Sequence, residues 1–453
     1  MNVFVIPTAG GILKHPPTED PSCGRDDKNT HFKGKYTKMK ILYLTFYFEP
    51  DIGPGAFRNT TLVRELSRQL GPTDAIHVIT TQPNRYQSYK PAASDYEEWQ
   101  EGGCPVTIER VSVPTHKSGK LDQVRSFWGY FLAAHRLTRQ HKYDLVVASS
   151  SRLFTALLAA IVARRDGFAP RKQSIPLFLD IRDLFREVML EMHKNPLIRV
   201  GLNWFLGVVE RYTFGCATHI NLVSEGFRDY FLPFAQATYS YFTNGIDDLF
   251  LTSPNSSEIP NSRCKTILYA GNIGEGQGLH TIIPQAARQL GNGYRFIIFG
   301  NGGATRKLDA ALRAENVRNV ELYEPVSQAE LIAQYQQADY LFVHLNKLDA
   351  FARVLPSKLF EYGATNKPII AGVSGYAASF VRQHLPNHIL FTPGDVVDLV
   401  RQVRETPYYT AMRTDFRTQF RRQAISQAIA RQVLKTLDNK GHRQSTTPKH
   451  ATL

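Results

Sequence analysis

The feature that most constrains this chain is an alternation of short apolar runs with segments of helical spacing, and the whole pattern occurs twice. The first series opens directly after Met39-Lys40 with Ile41–Phe46 and continues through Ile76–Thr80, Val106–Val111, Asp144–Ser149, Ile175–Ile181, His219–Val223 and Tyr239–Thr243. Between these lie helical patterns such as Thr60–Leu70 and Asp122–Gln140. The second series is Thr266–Tyr269, Arg295–Phe299, Asn319–Tyr323, Tyr340–Leu345, Pro368–Ala371 and His388–Phe391. Apolar runs of this length read as strands buried on both faces. Strands alternating with helices read as parallel sheets covered by helices. Residues 251–263, with Ser, Asn and Pro, break the series and read as a linker. The expected fold class is α/β, with two doubly wound Rossmann-like domains, 39–250 and 264–405, facing a cleft. Ligands of such sheets bind beyond the carboxyl ends of the strands.

The 453 residues suffice for two cores, since one core stops growing near roughly 250–300 residues. Residues 1–38 lack apolar periodicity and are expected to be a disordered extension outside the fold. In 406–437, Phe416, Phe420, Ala424, Ile425, Ala428, Ile429 and Val433 recur at spacings of three and four, which predicts one helix over Arg413–Leu437. Residues 438–453 are polar and are expected to be a disordered tail. The four cysteines form no CxxC pair and the histidines no HExxH spacing, so no metal site or disulfide is inferred and a reducing compartment is the default. The longest apolar stretches, Leu153–Ala163 and Val200–Val209, fall short of a membrane span and read as buried helices. The first residues do not read as the basic-then-apolar pattern of a signal peptide. The net charge is +14, and the last 53 residues hold 11 Lys/Arg against 3 Asp/Glu. Such a region meets nucleic acid, anionic lipid or only solvent.

Four segments carry candidate chemistry. Asp51–Arg58, after the first strand, places Gly53, Gly55 and Arg58 at a strand-to-helix turn, where backbone N–H groups can approach an anion or sugar; a tight turn without ligand is the alternative. Leu268–Leu279 sets Gly271, Asn272, Gly274 and Gln277 in a loop poor in side chains, suited to a diphosphate; a plain glycine turn is the alternative. In Arg353–Tyr362, Pro356 suits a first helical turn, and Lys358 and Glu361 are three apart, on one helical face. A cation and a carboxylate there can meet a phosphate and a ribose diol, or merely each other. In Phe178–Phe185 a strand runs into Arg182 and Asp183; Asp183 can polarise a hydroxyl or cap a helix.

Together these segments resemble the family 4 glycosyltransferases of the GT-B fold, and within them the subgroup that builds bacterial O-antigen, capsule and other surface polysaccharides, including fucosamine transferase-like members. The matching segments are Gly53–Arg58, Ile181–Leu184, Asn244–Asp247, Tyr269–Leu279, Phe299–Gly302 and, most specifically, Leu355–Ile370. The resemblance spans about residues 39–400. It implies transfer of a hexosyl or N-acetylhexosaminyl group from a nucleoside diphosphate sugar, UDP-linked, with retained anomeric configuration and no metal or other cofactor. Its implied donor-binding set is Gly271, Asn272, Gly274, Gln277, Gly300, Asn301, Tyr323, Ser357 and Glu361, with Glu361 accepting the ribose hydroxyls. Its implied catalytic set is Asp183, Arg353 and Lys358; Gly53, Gly55, Arg58 and Arg182 form the acceptor or phosphate loop. Many family members carry a carboxylate where this chain has Arg353, so Arg353 and Lys358 are expected to supply charge to the diphosphate instead. The implied acceptor is a lipid-linked saccharide. The implied place is the inner face of the cytoplasmic membrane, with peripheral contact to anionic lipid. Lys194–Arg211, with Arg199, Trp204, Phe205 and Arg211, is either an interfacial segment or an ordinary core helix. A GT-B nucleotide-sugar 2-epimerase and a basic nucleic-acid-binding protein stand as alternatives, although no nucleic acid partner is expected because the excess charge is terminal.

Overall fold

The computed structural model describes residues 38–84, 91–100, 102–113, 120–150, 152–164, 175–193, 195–252 and 263–442. The expected extension 1–38, save its last residue, most of the linker, and residues 443–453 lie outside these. Two sheets form. The first contains β1 (Lys40–Thr45), β2 (Ala75–Thr81), β3 (Tyr96–Trp99), β4 (Val106–Val111), β5 (Leu145–Ser150), β6 (Leu177–Ile181), β7 (His219–Leu222) and β8 (Thr238–Ser240), in spatial order β3-β4-β2-β1-β5-β6-β7-β8. The second contains β9 (Lys265–Ala270), β10 (Tyr294–Phe299), β11 (Val320–Tyr323), β12 (Tyr340–His344), β13 (Ile369–Gly372) and β14 (His388–Phe391), in order β11-β10-β9-β12-β13-β14. All neighbours are parallel except β3 and β4. The order reverses between β1 and β5 and between β9 and β12, and such switch points open crevices at strand carboxyl ends.

The central strands are buried on both faces, as in Leu145–Val147 and Leu177–Leu179, which is why they read as continuous apolar runs. β3 gives no such run: its sequence YEEW alternates exposed and half-buried residues on an antiparallel edge, with Trp99 stacked on Phe48.

The C-terminal segment is two helices, Thr414–Gln419 and Arg422–His442, not the one expected over Arg413–Leu437. The break falls where the backbone is used elsewhere. Ile246 N–H donates to Phe420 O at 2.7 Å, and Arg422 N–H donates to Ile246 O at 2.8 Å. Before the break, Phe416 and Phe420 pack on Phe360 and Phe380 of the second domain. After it, the chain returns to the first domain and packs along the Pro54–Gln69 helix. Leu437 packs on the core, and the helix runs on to His442, into the stretch expected to be disordered.

The two apolar stretches expected to be buried helices differ. Leu153–Ala163 is a helix buried along most of its length. Val200–Val209 lies in the Pro196–Gly215 helix and exposes Val200, Trp204, Phe205 and Val208, because only one side of that helix meets the domain.

Candidate active site: an interdomain cavity

The carboxyl ends of both sheets border one cavity of about 360 Å³. In the second domain, the wall is built on tight backbone geometry. Gly271, just past β9, has φ 144°, and a Cβ there would lie 2.0 Å from Lys358 Nζ. The missing side chain is therefore the slot that holds the ammonium over the loop, 5.3 Å from the Tyr269 ring centre. Past β10, a Cβ on Gly300 would meet Gly271 O at 1.8 Å, so the two loops touch backbone to backbone. Asn272 Nδ2 and Gly274 N–H both donate to Gln277 Oε1, at 2.9 and 3.2 Å, which folds the loop on itself.

Lys358 and Glu361 share the short Lys358–Gly363 helix, and both line the cavity with Ser357. Six residues do not hold a helix unaided. Here Arg413 donates to Tyr362 O and Thr365 O at 3.2 and 2.6 Å, and Arg417 to Ala364 O at 2.8 Å. Cations at a helix C-terminus satisfy its orphan carbonyls and its dipole. Tyr335 OH donates to Glu361 Oε2 at 3.2 Å. Burial raises the Glu361 pKa above the usual carboxylate value, against the pull of Lys358. As pH falls, this carboxyl takes a proton earlier than an ordinary glutamate, and a protonated group accepts hydroxyl hydrogen bonds poorly. Affinity for the nucleotide that the resemblance implies should therefore fall on the acid side starting above the normal glutamate range, and calorimetric titration of UDP across pH should lose that dependence in Glu361→Gln.

In the first domain, the Pro54–Gln69 helix opens at the cavity with Pro54 at its start, no side-chain cap and no acidic residue in its first turn. Its free N–H groups and dipole make that end receptive to negative charge. The Arg182 guanidinium lies against it, 2.5 Å from where a Cβ on Gly55 would be, and its buried Nε has no hydrogen-bond partner. Burial, then the Arg58 charge, lower the Arg182 pKa. Gly53, Gly55, Arg182 and Asp183 all line the cavity. Asp183 is exposed there and does not cap the following helix, whose N-cap is Leu184 without a side-chain bond.

Five expected site residues lie elsewhere. Arg58 turns away from the loop it belongs to and is buried, donating to both Asp180 oxygens at 2.9 Å and to Phe242 O and Thr243 O. It is a strut between β6 and the chain after β8, where a buried carboxylate captures it. Arg353 pairs with Glu187 of the first domain, because the turn Asp349–Arg353 aims it across the interface rather than down the Lys358 helix. Gly274 is not among the residues lining the cavity, and its N–H is turned to Gln277 Oε1 within the loop. Asn301 accepts from Gly302 N–H at 2.7 Å and reaches Glu324. Tyr323 is 45 % exposed, stacks on Phe299 and donates to Glu321. Conversely, Asn244 and His344 line the cavity though no role was expected of them. Asn244 belongs to the quoted segment Asn244–Asp247; it is buried, and its Oδ1 has no hydrogen-bond partner. His344 ends β12, the strand-end position that points into such crevices. Its Nδ1–H donates to Gln277 O at 2.6 Å and its Nε2 accepts from Gly394 N–H at 3.0 Å. Burial lowers its pKa to about 4, so the ring is neutral and fixes the Gln277 loop.

Two Rossmann-like domains closing on one cavity are the GT-B architecture, and residues 254–423 match the family model of the glycosyl transferases group 1. That stretch is a glycosyl transferases group 1 domain. The chain is similar to the putative colanic acid biosynthesis glycosyl transferase WcaI of Escherichia coli K12, 36% identical over 105 residues, which is 23% of this chain and 25% of WcaI. The match thus spans a quarter of that relative's length. Among solved structures, the α,α-trehalose 6-phosphate synthase of Burkholderia multivorans superposes with TM-score 0.62 at 10% identity, over 91% of this chain and 100% of that one. WaaG, a glycosyltransferase involved in lipopolysaccharide biosynthesis, superposes with TM-score 0.55 at 13% identity, over 90% and 100%. Anabaena HepE, solved with UDP-glucose, does so with TM-score 0.54 at 16% identity over the same shares. At these identities the structures show the fold alone.

Proposed function

We propose that this protein is a glycosyltransferase of surface-polysaccharide assembly. It moves a hexosyl or N-acetylhexosaminyl group from a UDP-sugar to a lipid-linked saccharide, with retention and without a metal, and belongs with the family 4 enzymes. The observation that carries this reading is the wall where Lys358 sits in the Gly271 slot one helical turn from Glu361, within a domain matched to the glycosyl transferases group 1. HepE, solved with UDP-glucose, supports the donor class, and WcaI and WaaG support the polysaccharide setting. In this reading Glu361 accepts the ribose hydroxyls, Ser357 and the Gly271 and Gly300 loops approach the diphosphate, and Arg182 and the open helix end at Gly53–Gly55 face it from the first domain. Asp183 orients the acceptor hydroxyl. The bond from the anomeric carbon to the diphosphate oxygen breaks, the acceptor oxygen bonds that carbon, and the acceptor proton leaves with the nucleoside diphosphate.

The leaving diphosphate gains charge as its bond breaks, so a fixed cation stabilises the transition state more than the ground state. Lys358→Ala should lower kcat by roughly 10²–10³, with a smaller rise in KM, as expected for removing one preorganised donor. Steady-state kinetics on a lipid-linked acceptor would show it, and full turnover would leave the diphosphate to the loop amides, Ser357, Arg182 and the helix end at Gly53–Gly55. The reading as a whole is tested by thermal unfolding against a set of nucleotide sugars. A bound donor at 100 times its Kd adds about 2.7 kcal/mol of stability, and no protection by any of them would refute the assignment.

A further inference from the structure

We propose that Glu187 and Glu191 of the first domain are positioning residues for the transfer reaction: they complete the turn Asp349–Arg353 of the second domain and so set Lys358 opposite Asp183. This rests on the reading above, in which Lys358 acts on the donor and Asp183 on the acceptor.

The turn is short of partners within its own domain. Leu348, at its N-cap, makes no side-chain cap bond, and the first N–H groups of a helical turn have no acceptor inside it. The first domain supplies what is missing. Ala350 N–H donates to Glu191 Oε1 at 2.9 Å, so a carboxylate from the other domain caps the turn. At the far end, Ser224 Oγ donates to Arg353 O at 2.5 Å, and the Arg353 guanidinium donates to Glu187 Oε1. A Cβ on Gly226 of the first domain would lie 2.6 Å from Arg353 O, so that position admits backbone only. Glu187 and Glu191 are four apart, on one face of the Phe185–Glu191 helix. The second oxygen of each is buried, and contacts shielded in this way are screened little by salt.

The turn in turn touches both parts of the second domain's cavity wall. Just before it, Asn346 N–H donates to Gly276 O at 2.8 Å. Phe351 packs on the same glycine, where a Cβ would come within 2.9 Å of its ring. Gly276 belongs to the loop that carries Gly271 and Gln277. Just after the turn, Val354 packs both on the first domain's core and on the core that holds Leu359 and Phe360. Val354 and Leu355 line the cavity, and Lys358 follows. On the other side, the Phe185–Glu191 helix starts two residues past Asp183. One seven-residue helix, about 10 Å long, therefore joins the acceptor side of the cavity to the donor side. Its grip on the turn fixes the separation across which the sugar is transferred. A displacement of about 1 Å at such a distance costs roughly 10² in rate. The same contacts account for an arginine at position 353, which serves the interface between the domains.

The test compares full-chain variants by amide hydrogen exchange over residues 346–355, by calorimetry with UDP and by steady-state kinetics on a lipid-linked acceptor. Glu191→Ala should speed exchange at Ala350 roughly tenfold to hundredfold, the loss of one bond to a charged acceptor. It should lower kcat by roughly tenfold to hundredfold, with a smaller change in UDP affinity, because Glu361 and the Gly271 loop lie within the second domain. Glu191→Gln keeps the accepting oxygen and should restore both. Glu187→Arg should lower kcat in the same way, and joining it to Arg353→Glu should recover most of the loss. A loss caused only by weakened folding would appear in the unfolding midpoint, and the exchanged pair would not rescue it. Full kcat in Glu191→Ala and Glu187→Arg, or an exchanged pair that recovers nothing, would overturn the proposal. So would an Arg353→Ala variant that loses more UDP affinity than kcat, which would return Arg353 to the diphosphate. Thermal protection by nucleotide sugars is read separately: its absence in the wild type would sink the transferase assignment, while exchange at Ala350 would still report whether Glu191 holds the turn.

Discussion

Replacing Glu361 with alanine should weaken UDP binding by about 3–6 kcal/mol, roughly two to four orders of magnitude in Kd, because two hydroxyl-to-carboxylate bonds of about 1.5–3 kcal/mol each are lost. The size of the effect rests on preorganisation. The carboxylate sits on a helix pinned by Arg413 and Arg417, and one oxygen is already held by Tyr335 OH. It is not free to swing to solvent, so its strength is spent on the ligand. Glu361→Gln keeps the shape and one acceptor and should fall between the two. Isothermal titration calorimetry with UDP is the measurement. Wild-type affinity in Glu361→Ala would remove this residue from the nucleotide site and, with it, the assignment of the Lys358–Gly363 wall to the donor.

The second large effect should be on stability. Arg58→Ala leaves Asp180 buried without its partner, which costs about 3–5 kcal/mol for a broken buried pair. In a domain of this size that is a drop in Tm of roughly 6–20 °C. Asp180 also accepts from Asn221 Nδ2 at 2.7 Å. Burial alone would raise its pKa, but the Arg58 charge and hydrogen bonds outweigh this and hold it low. The linkage sign follows from that direction: the pair's contribution is present above the unfolded aspartate pKa and is lost as pH falls through the depressed folded value. Denaturation midpoints of Arg58→Ala and wild type should therefore converge in strong acid. A variant as stable as wild type but weaker in substrate binding would return Arg58 to the phosphate loop.

Much of the fold was legible because its central strands are buried on both faces. A strand such as Leu177–Ile181 between two neighbours can carry little but apolar residues, and a break such as residues 251–263 stands out against that rhythm. The cavity wall of the second domain was legible for a related reason. Glycines at a strand-to-helix turn, and a Lys and Glu three apart on one helical turn, are local arrangements fixed by chain geometry. Gly271, Gln277, Ser357, Lys358 and Glu361 all border the cavity.

The tertiary structure decided what neighbours do. Arg58 and Arg182 are both arginines close to strand ends, yet one is captured by Asp180 and the other faces the cavity, because Asp180 lies 122 positions from Arg58 in the chain and only folding brings them together. Arg353 and Lys358 are five residues apart, and the turn between them sends one to Glu187 across the interface and the other to the cleft. The exposed side of Pro196–Gly215 is likewise invisible to periodicity, since a helix apolar on two sides reads as buried until its neighbours are known to cover only one. Local spacing fixes which residues share a strand or a helical face. Which of those faces meets a charge, a cavity or open solvent is set by segments distant in the chain, 122 positions for Arg58 and Asp180 and 166 for Arg353 and Glu187, whose arrival no local pattern records.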